Sequence, residues 1–155
     1  VYQCKVPVFF GLVNAGFGNL WRWVRGLTVS QTAGEKTEVF VAKSMYAAFD
    51  PANIGEGMRK TCECPQREGY IIKKSYEGLC CMPTSVGGST ATYYCDYFWT
   101  NAATQTGLRV RAAGGFVDLG TYAGASGSTA THAASTAAAG YSSPLCFFEE
   151  DPQIE

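Results

Sequence analysis

Short β-forming runs punctuated by glycine set the terms on which this chain can fold. KVPVFFGLV (5–13) is broken at Gly11, GGSTATYYCDYFW (87–99) enters through two glycines, and GLRVRAAGG (107–115) carries them at both ends. Such punctuation argues against long helices and against a doubly wound sheet, and predicts many short strands joined by turns. TEVFVAK (37–43) and YIIKKSY (70–76) read as two more strands, and PLCFF (144–148) as a last one before an acidic tail that frays. In 107–115, Leu108, Val110 and Ala112 alternate with Arg109 and Arg111, which predicts a half-exposed strand. NLWRWVRGL reads differently: Leu20, Trp21, Val24 and Leu27 recur at helical spacing, Asn19 can cap and Gly26 can end a short amphipathic helix. THAASTAAAG reads as a marginal second helix or a flexible linker, and Asp50 to Gly69 as a long surface loop. The expected fold is α+β, one or two helices among short strands and long loops, in a single domain over residues 1–155.

With 155 residues, 46% hydrophobic and 14% aromatic, the chain can bury one sizeable core. Trp21, Trp23, Phe40, Tyr93, Tyr94, Phe98, Val110, Leu145 and Phe147 are the expected contributors. A net charge of −1, with its 12 Lys and Arg scattered, provides no field for nucleic acid. No apolar run approaches the roughly 20 residues that cross a bilayer, so no membrane insertion is expected. The start at Val1 suggests a mature product or, more readily, the C-terminal part of a longer protein.

Seven cysteines, an odd number, leave at least one thiol without a partner in the chain. Cys95 and Cys146, inside aromatic runs, read as small buried hydrophobes. TCEC (61–64) and LCC (79–81) lack the C-x2-C spacing of a zinc site, so no metal is expected; a disulfide among these four suits an oxidising exterior.

From Ala112 to Phe147 there is no Lys, Glu, Gln, Trp or Met, although all five occur earlier. These are the residues that a codon ending in a pyrimidine cannot encode, and randomising the first two bases of asparagine codons leaves that signature. Small residues also suit tight loops, which would give the same composition.

Four segments carry a resemblance in order and spacing: FFGLVNAGFGNLWRWVRGLTV (9–29), VGGSTATYYCDYFWT (86–100), LRVRAAGGFVDLGTYAG (108–124) and AASTAAAGYSSPLCFF (133–148). Together they resemble C-type-lectin-fold domains, nearest to the receptor-binding proteins of phages and the variable proteins of diversity-generating retroelements. The resemblance implies a C-type lectin-like fold and a recognition surface near the carboxyl end. Phe116, Val117, Asp118, Leu119, Thr121, Tyr122, Gly140, Tyr141 and Ser142 depart from the Trp, Asn, Ser and Ile-Gly common there, as substitution at interchangeable sites would produce. Formylglycine-generating enzymes share that fold and resemble this chain in GNLWRWV and RAAGG, but they rely on two cysteines in the last segment. Only Cys146 is present between Ala112 and Phe147.

The resemblance thus implies a non-catalytic ligand-binding domain with no cofactor, carried on a phage tail or bacterial surface and recognising a bacterial surface protein or glycan. Phe116, Leu119 and Tyr122 are the expected apolar anchors, with Val117 beside them, and Asp118 and His132 the polar discriminators. Thr121, Ser126, Ser128, Thr129, Thr131, Ser135 and Thr136 complete the surface with small polar groups, and Trp99 and Asn101 border it. His132 is the only histidine, with no carboxylate orienter evident in its loop, so a nucleophile–base pair is not expected. A formylglycine-type oxidase and a structural tail or pilus subunit are the alternatives. A single copy would bind weakly, and display in several copies through the parent protein would raise avidity.

Overall fold

The computed structural model describes residues 20–44, 50–77 and 80–142. The strand expected at 5–13, the one at 144–148, and Cys4, Leu145, Cys146 and Phe147 lie outside the described residues. Nine strands form one curled sheet: β1 (Trp21–Thr32), β2 (Lys36–Ala42), β3 (Met58–Glu63), β4 (Gly69–Ser75), β5 (Met82–Val86), β6 (Tyr97–Thr100), β7 (Gly107–Ala113), β8 (Ser128–His132) and β9 (Tyr141–Ser142). The order across the sheet is β3-β2-β1-β7-β8-β6-β4-β5, and β9 pairs in parallel with the start of β1. β6 and β8 also pair in parallel; the other pairings are antiparallel.

The α+β, C-type lectin-like architecture expected from the sequence does not form. Strand accounts for 48% of the structure and helix for 6%, with no helix of seven residues or more among the described residues. The segment read as an amphipathic helix is the first half of β1, because β7 and β9 pair with it on either side and β-branched and aromatic residues fit that pleated surface. Gly26, expected as a helix stop, takes φ +81° inside the strand, at a register shift against β7. THAASTAAAG holds the end of β8 and then turns; among the described residues it makes no helix.

The register shows what Gly26 does. Trp23 stands opposite Ala112, yet Thr28 stands opposite Val110. Five positions along β1 thus match two along β7, and the odd excess reverses the in–out alternation of β1. Leu27 and Val29 therefore face the interior of the curl with Val39, Ile71, Met82 and Phe98, while Trp23 shares the outer face with Thr28, Val110 and Ala112. Arg109 stands opposite Val29, so β7 presents its arginines inward, the reverse of the expected amphipathic strand. Arg111 is buried, and its Nη1 donates to the Cys80 carbonyl at 2.9 Å. Val110 and Ala112 are buried too, on the other face, so β7 is covered on both sides.

Gln31 braces the interior: its Nε2 donates to the Thr100 hydroxyl at 3.1 Å and to the Ala130 carbonyl at 2.9 Å, tying β1 to β6 and β8 across β7. The long loop expected over 50–69 contains β3, whose charged Arg59, Lys60 and Glu63 are exposed because β3 begins the strand order; Lys60 pairs with Glu38 at 2.7 Å and with Glu63 at 3.0 Å. Two other expectations fail at 89–95, which forms turns rather than strand. Tyr93, assigned to the core, is 93% exposed, and Cys95, read as a buried hydrophobe, is exposed.

Phe98 is fully buried at the centre of the core, so Phe98→Ala should cost about 3–5 kcal/mol of unfolding free energy in urea melts. Tyr93→Ala, on the surface, should stay within about 0.5 kcal/mol of the parent.

Candidate functional site

The strand YFWT explains how the site is floored. Period-two alternation sends Phe98 and Thr100 inward, where both are buried, and Tyr97 and Trp99 outward. Trp99 pairs with Thr129 and Tyr97 with Tyr70, which sets these rings on the outer face that Trp23 also joins. The rings touch in series. Tyr70 meets Tyr97 edge-on with centroids 5.1 Å apart, Tyr97 lies 4.8 Å from Trp99, and Trp99 meets Trp21 at 5.3 Å. From Trp21 the row continues to Tyr141, which stacks on Trp23 at 4.5 Å.

The bland segment after β7 rises as a wall beside this floor. Its backbone turns three times in succession, through hydrogen bonds from Leu119 N to the Phe116 carbonyl, Ala123 N to Gly120, and Gly127 N to Gly124. Gly114 N donates to the Gly127 carbonyl at 2.9 Å and closes the loop at its neck. So tight a path demands small residues. Gly115 has φ +75°, and a Cβ there would meet the Cβ of Ala123 at 2.8 Å; a Cβ on Gly124 would collide with the Asp96 carboxylate. That carboxylate accepts from Ser126 N at 2.8 Å, fastening the loop to the residue just before β6. The blandness thus has a steric cause in addition to any codon bias.

Between floor and wall lies an open cavity of about 330 Å³ lined by Tyr97, Trp99, Asp118, Leu119 and Tyr122. Val117 to Tyr122 form a 3-10 segment, interrupted at Gly120, that presents these side chains. Tyr122 is 42% exposed and is clasped by three rings, stacking on Tyr70 at 5.6 Å and meeting Tyr97 at 5.1 Å and Trp99 at 6.2 Å. Burial, then the charge of Glu68 and the neighbouring Tyr122, push the Tyr97 phenol up, so it stays protonated at neutral pH and keeps an O–H to donate. Asp118 adds one exposed carboxylate, an acceptor with no proton to give when ionised.

Of the residues singled out in the sequence, the fold brings Trp99, Asp118, Leu119 and Tyr122 to the cavity. Val117 and Thr121 are exposed on the same 3-10 segment, and Phe116 is half-buried at its start, with Gly140 beside its ring. The others are placed elsewhere. Ser128 and Thr129 are buried within β8, and the Thr129 and Thr131 hydroxyls bond each other at 2.8 Å. Asn101 is committed to structure: its amide donates to the Thr131 carbonyl at 3.0 Å and accepts from Arg109 Nε at 3.4 Å. Ser126 is held by Asp96, and Ser135 and Thr136 belong to a turn beyond β8, outside the cavity lining. His132 is half-buried at the end of β8, its ring 5.1 Å from Tyr141. Tyr97 and Tyr70 were missed; the alternation of aromatic and inward residues in YFW was the signal that pointed to Tyr97.

No family model, no curated protein and no solved structure matches this chain.

Burial, and after it the positive charge of Arg109, hold the His132 imidazole below its usual 6.5. The folded protein therefore takes up this proton at lower pH than the unfolded chain, so protonation favours unfolding and stability falls as pH drops below about 6.5. Melting temperatures measured between pH 7.5 and 5 should decline, and His132→Asn should flatten that decline.

Proposed function

We propose that this chain is a non-catalytic binding domain whose cavity takes a sugar residue of a bacterial surface glycan, and that it works in several copies on a phage tail or bacterial surface. One observation carries the reading: an aromatic floor fixed by the sheet faces a loop wall bearing a single carboxylate across an open cavity of about 330 Å³. A sugar ring has one face of C–H bonds and a rim of hydroxyls. Tyr97, Trp99 and Tyr122 offer apolar ring surface to the first, while Asp118 and the tyrosine hydroxyls offer hydrogen-bond partners to the second. The volume lies at the small end of ligand sites, which suits one or two sugar units and a weak single-site affinity. Repetition of the domain would raise that affinity to a useful level.

The division of parts also supports the expectation of a variable surface. Tyr97 and Trp99 lie in a strand outside the stretch that lacks Lys, Glu, Gln, Trp and Met, whereas Asp118, Leu119 and Tyr122 lie inside it, on a segment whose exchange leaves the interior of the sheet untouched. On this reading, sister copies of the gene differ at 116–122 and keep Tyr97 and Trp99.

Binding to an array of bacterial glycans, followed by calorimetry on the best ligand, tests the assignment. Asp118→Ala and Tyr122→Ala should each weaken binding at least tenfold; Asp118→Ala should leave the melting temperature within a few degrees of the parent, since its side chain is exposed, whereas Tyr122→Ala should lower it through its lost ring contacts. An array without hits, or variants that bind as the parent does, would refute it.

A further inference from the structure

The interior of the curl, on the opposite face of the sheet from the aromatic cavity, holds a group of thiols that the binding reading does not use. Cys64 and Cys80 belong to the core and Cys62 packs against it. The Sγ atoms of Cys62 and Cys80 stand 3.9 Å apart. We propose that Cys62 and Cys80 form a disulfide that clamps the first strand of the sheet to its last hairpin.

Both partners are held at this approach by independent contacts. Cys62 sits in β3 opposite Val39, beside a register shift, and its neighbour Thr61 donates to the Val39 carbonyl at 3.3 Å. Cys80 is fixed through its backbone: its carbonyl accepts from Arg111 Nη1 at 2.9 Å and its N–H donates to the Glu77 carbonyl at 3.3 Å. The gap of about 2 Å that separates the contact from a disulfide bond of about 2.05 Å closes by rotation of the two side chains. Adjacent Cys80 and Cys81, by contrast, would bond only through a strained eight-membered ring.

Topology gives the bond its consequence. β3 opens the strand order and β5, two residues after Cys80, ends it, and the curl brings β3 and β5 together. Among the described residues no backbone ladder joins these two ends in the strand order, so a bond from Cys62 to Cys80 closes the curl covalently. It also encloses a chain separation of 18 residues, enough for a sizeable reduction of unfolded-state freedom.

The oxidant is a small-molecule disulfide such as oxidised glutathione. The thiolate of Cys62, the more accessible of the two, attacks one sulfur of that disulfide and expels its first thiolate. The thiolate of Cys80 then attacks the Cys62 sulfur of the mixed disulfide and expels the second. The two cysteines lose two protons and two electrons, and the oxidant leaves as two thiols. Burial, then the neighbouring Cys80, push the Cys62 thiol up to about 11, so the exchange is slow in the folded protein and faster during folding.

The full chain refolded from denaturant in a glutathione redox buffer, alkylated and digested without reductant by trypsin and a Glu-specific protease, gives the test. Cleavage after Glu63 separates Cys62 from Cys64, so the expected product is peptide 61–63 linked to peptide 78–109. It should persist in C64S, C81S and C95S and vanish in C62S and C80S, and the oxidised parent should melt several degrees above its reduced form. Linkage through Cys64, free thiols at both positions after oxidation, or a crosslink with no rise in melting temperature would each overturn the proposal. The linked peptide pair from the unsubstituted chain reports the bond even where a variant fails to fold.

Discussion

The reversal of alternation at Gly26 is the constraint on which the rest of this structure depends. Leu27, Val29 and Gln31 sit at odd positions of β1, and so do Trp21 and Trp23; an unbroken strand would send all five to one face. The interior already holds Phe98, Met82 and Ile71 at full burial and has no place for two indoles in addition. The extra residues around Gly26 put the tryptophans on the outer face, where Trp23 stacks on Tyr141 and Trp21 meets Trp99. The same bulge bends β1, and bending this interior strand helps the sheet to curl. A side chain at Gly26 would find room, its Cβ no nearer than 3.5 Å to Ala42, so it is the φ of +81° that calls for glycine there.

Three interior strands were legible in the sequence; interior β8, read as part of a linker, and the ends of the sheet were not. β2 and β7 alternate, β4 carries Tyr70, Ile71 and Ile72 in a run, and each of the three lies between two other strands. β3 and β5 end the order and look unlike strands for that reason: β3 turns Arg59, Lys60 and Glu63 to water, and β5 carries Pro83, which only an edge accommodates readily. The helix expected in β1 rested on four apolar positions whose spacing fits a helix and, across a bulge, fits a strand equally well. Single-sequence periodicity cannot register a partner strand. For the site, the outward loop residues Asp118, Leu119 and Tyr122 were legible as a group, but not Ser128, Thr129 or Asn101, whose burial and bonds come from pairing with distant strands.

Floor and wall of the cavity solve different physical problems. The floor holds its shape because Tyr97 and Trp99 are rooted in a strand whose alternate residues, Phe98 and Thr100, are locked in the interior. The wall holds its path by three turns, a closed neck and the Asp96 carboxylate, almost all of it backbone hydrogen bonding. Side chains at 117–119, 121 and 122 take no part in those bonds. A loop ordered by its main chain can change its side chains with little loss of order, which is what an adaptable recognition surface needs.

The polar groups inside the curl set its register. Gln31 bonds β8 and a β6 hydroxyl, and Arg111 bonds the chain just before β5, each spanning strands that are not neighbours. Arg111 lies among Cys64, Cys80 and Cys81, its Nε finds no hydrogen-bond partner among the described residues, and burial first of all lowers its pKa. Such a residue is expensive to bury and is poor material for raw stability. Its value is directional. A one-residue slip of β7 against β1 would carry Arg111 to the crowded outer face and bring Val110 inward, leaving the Cys80 carbonyl without its donor. Apolar residues alone tolerate such a slip, since Val110 and Ala112 would fit either face; the guanidinium, with one carbonyl to reach, does not.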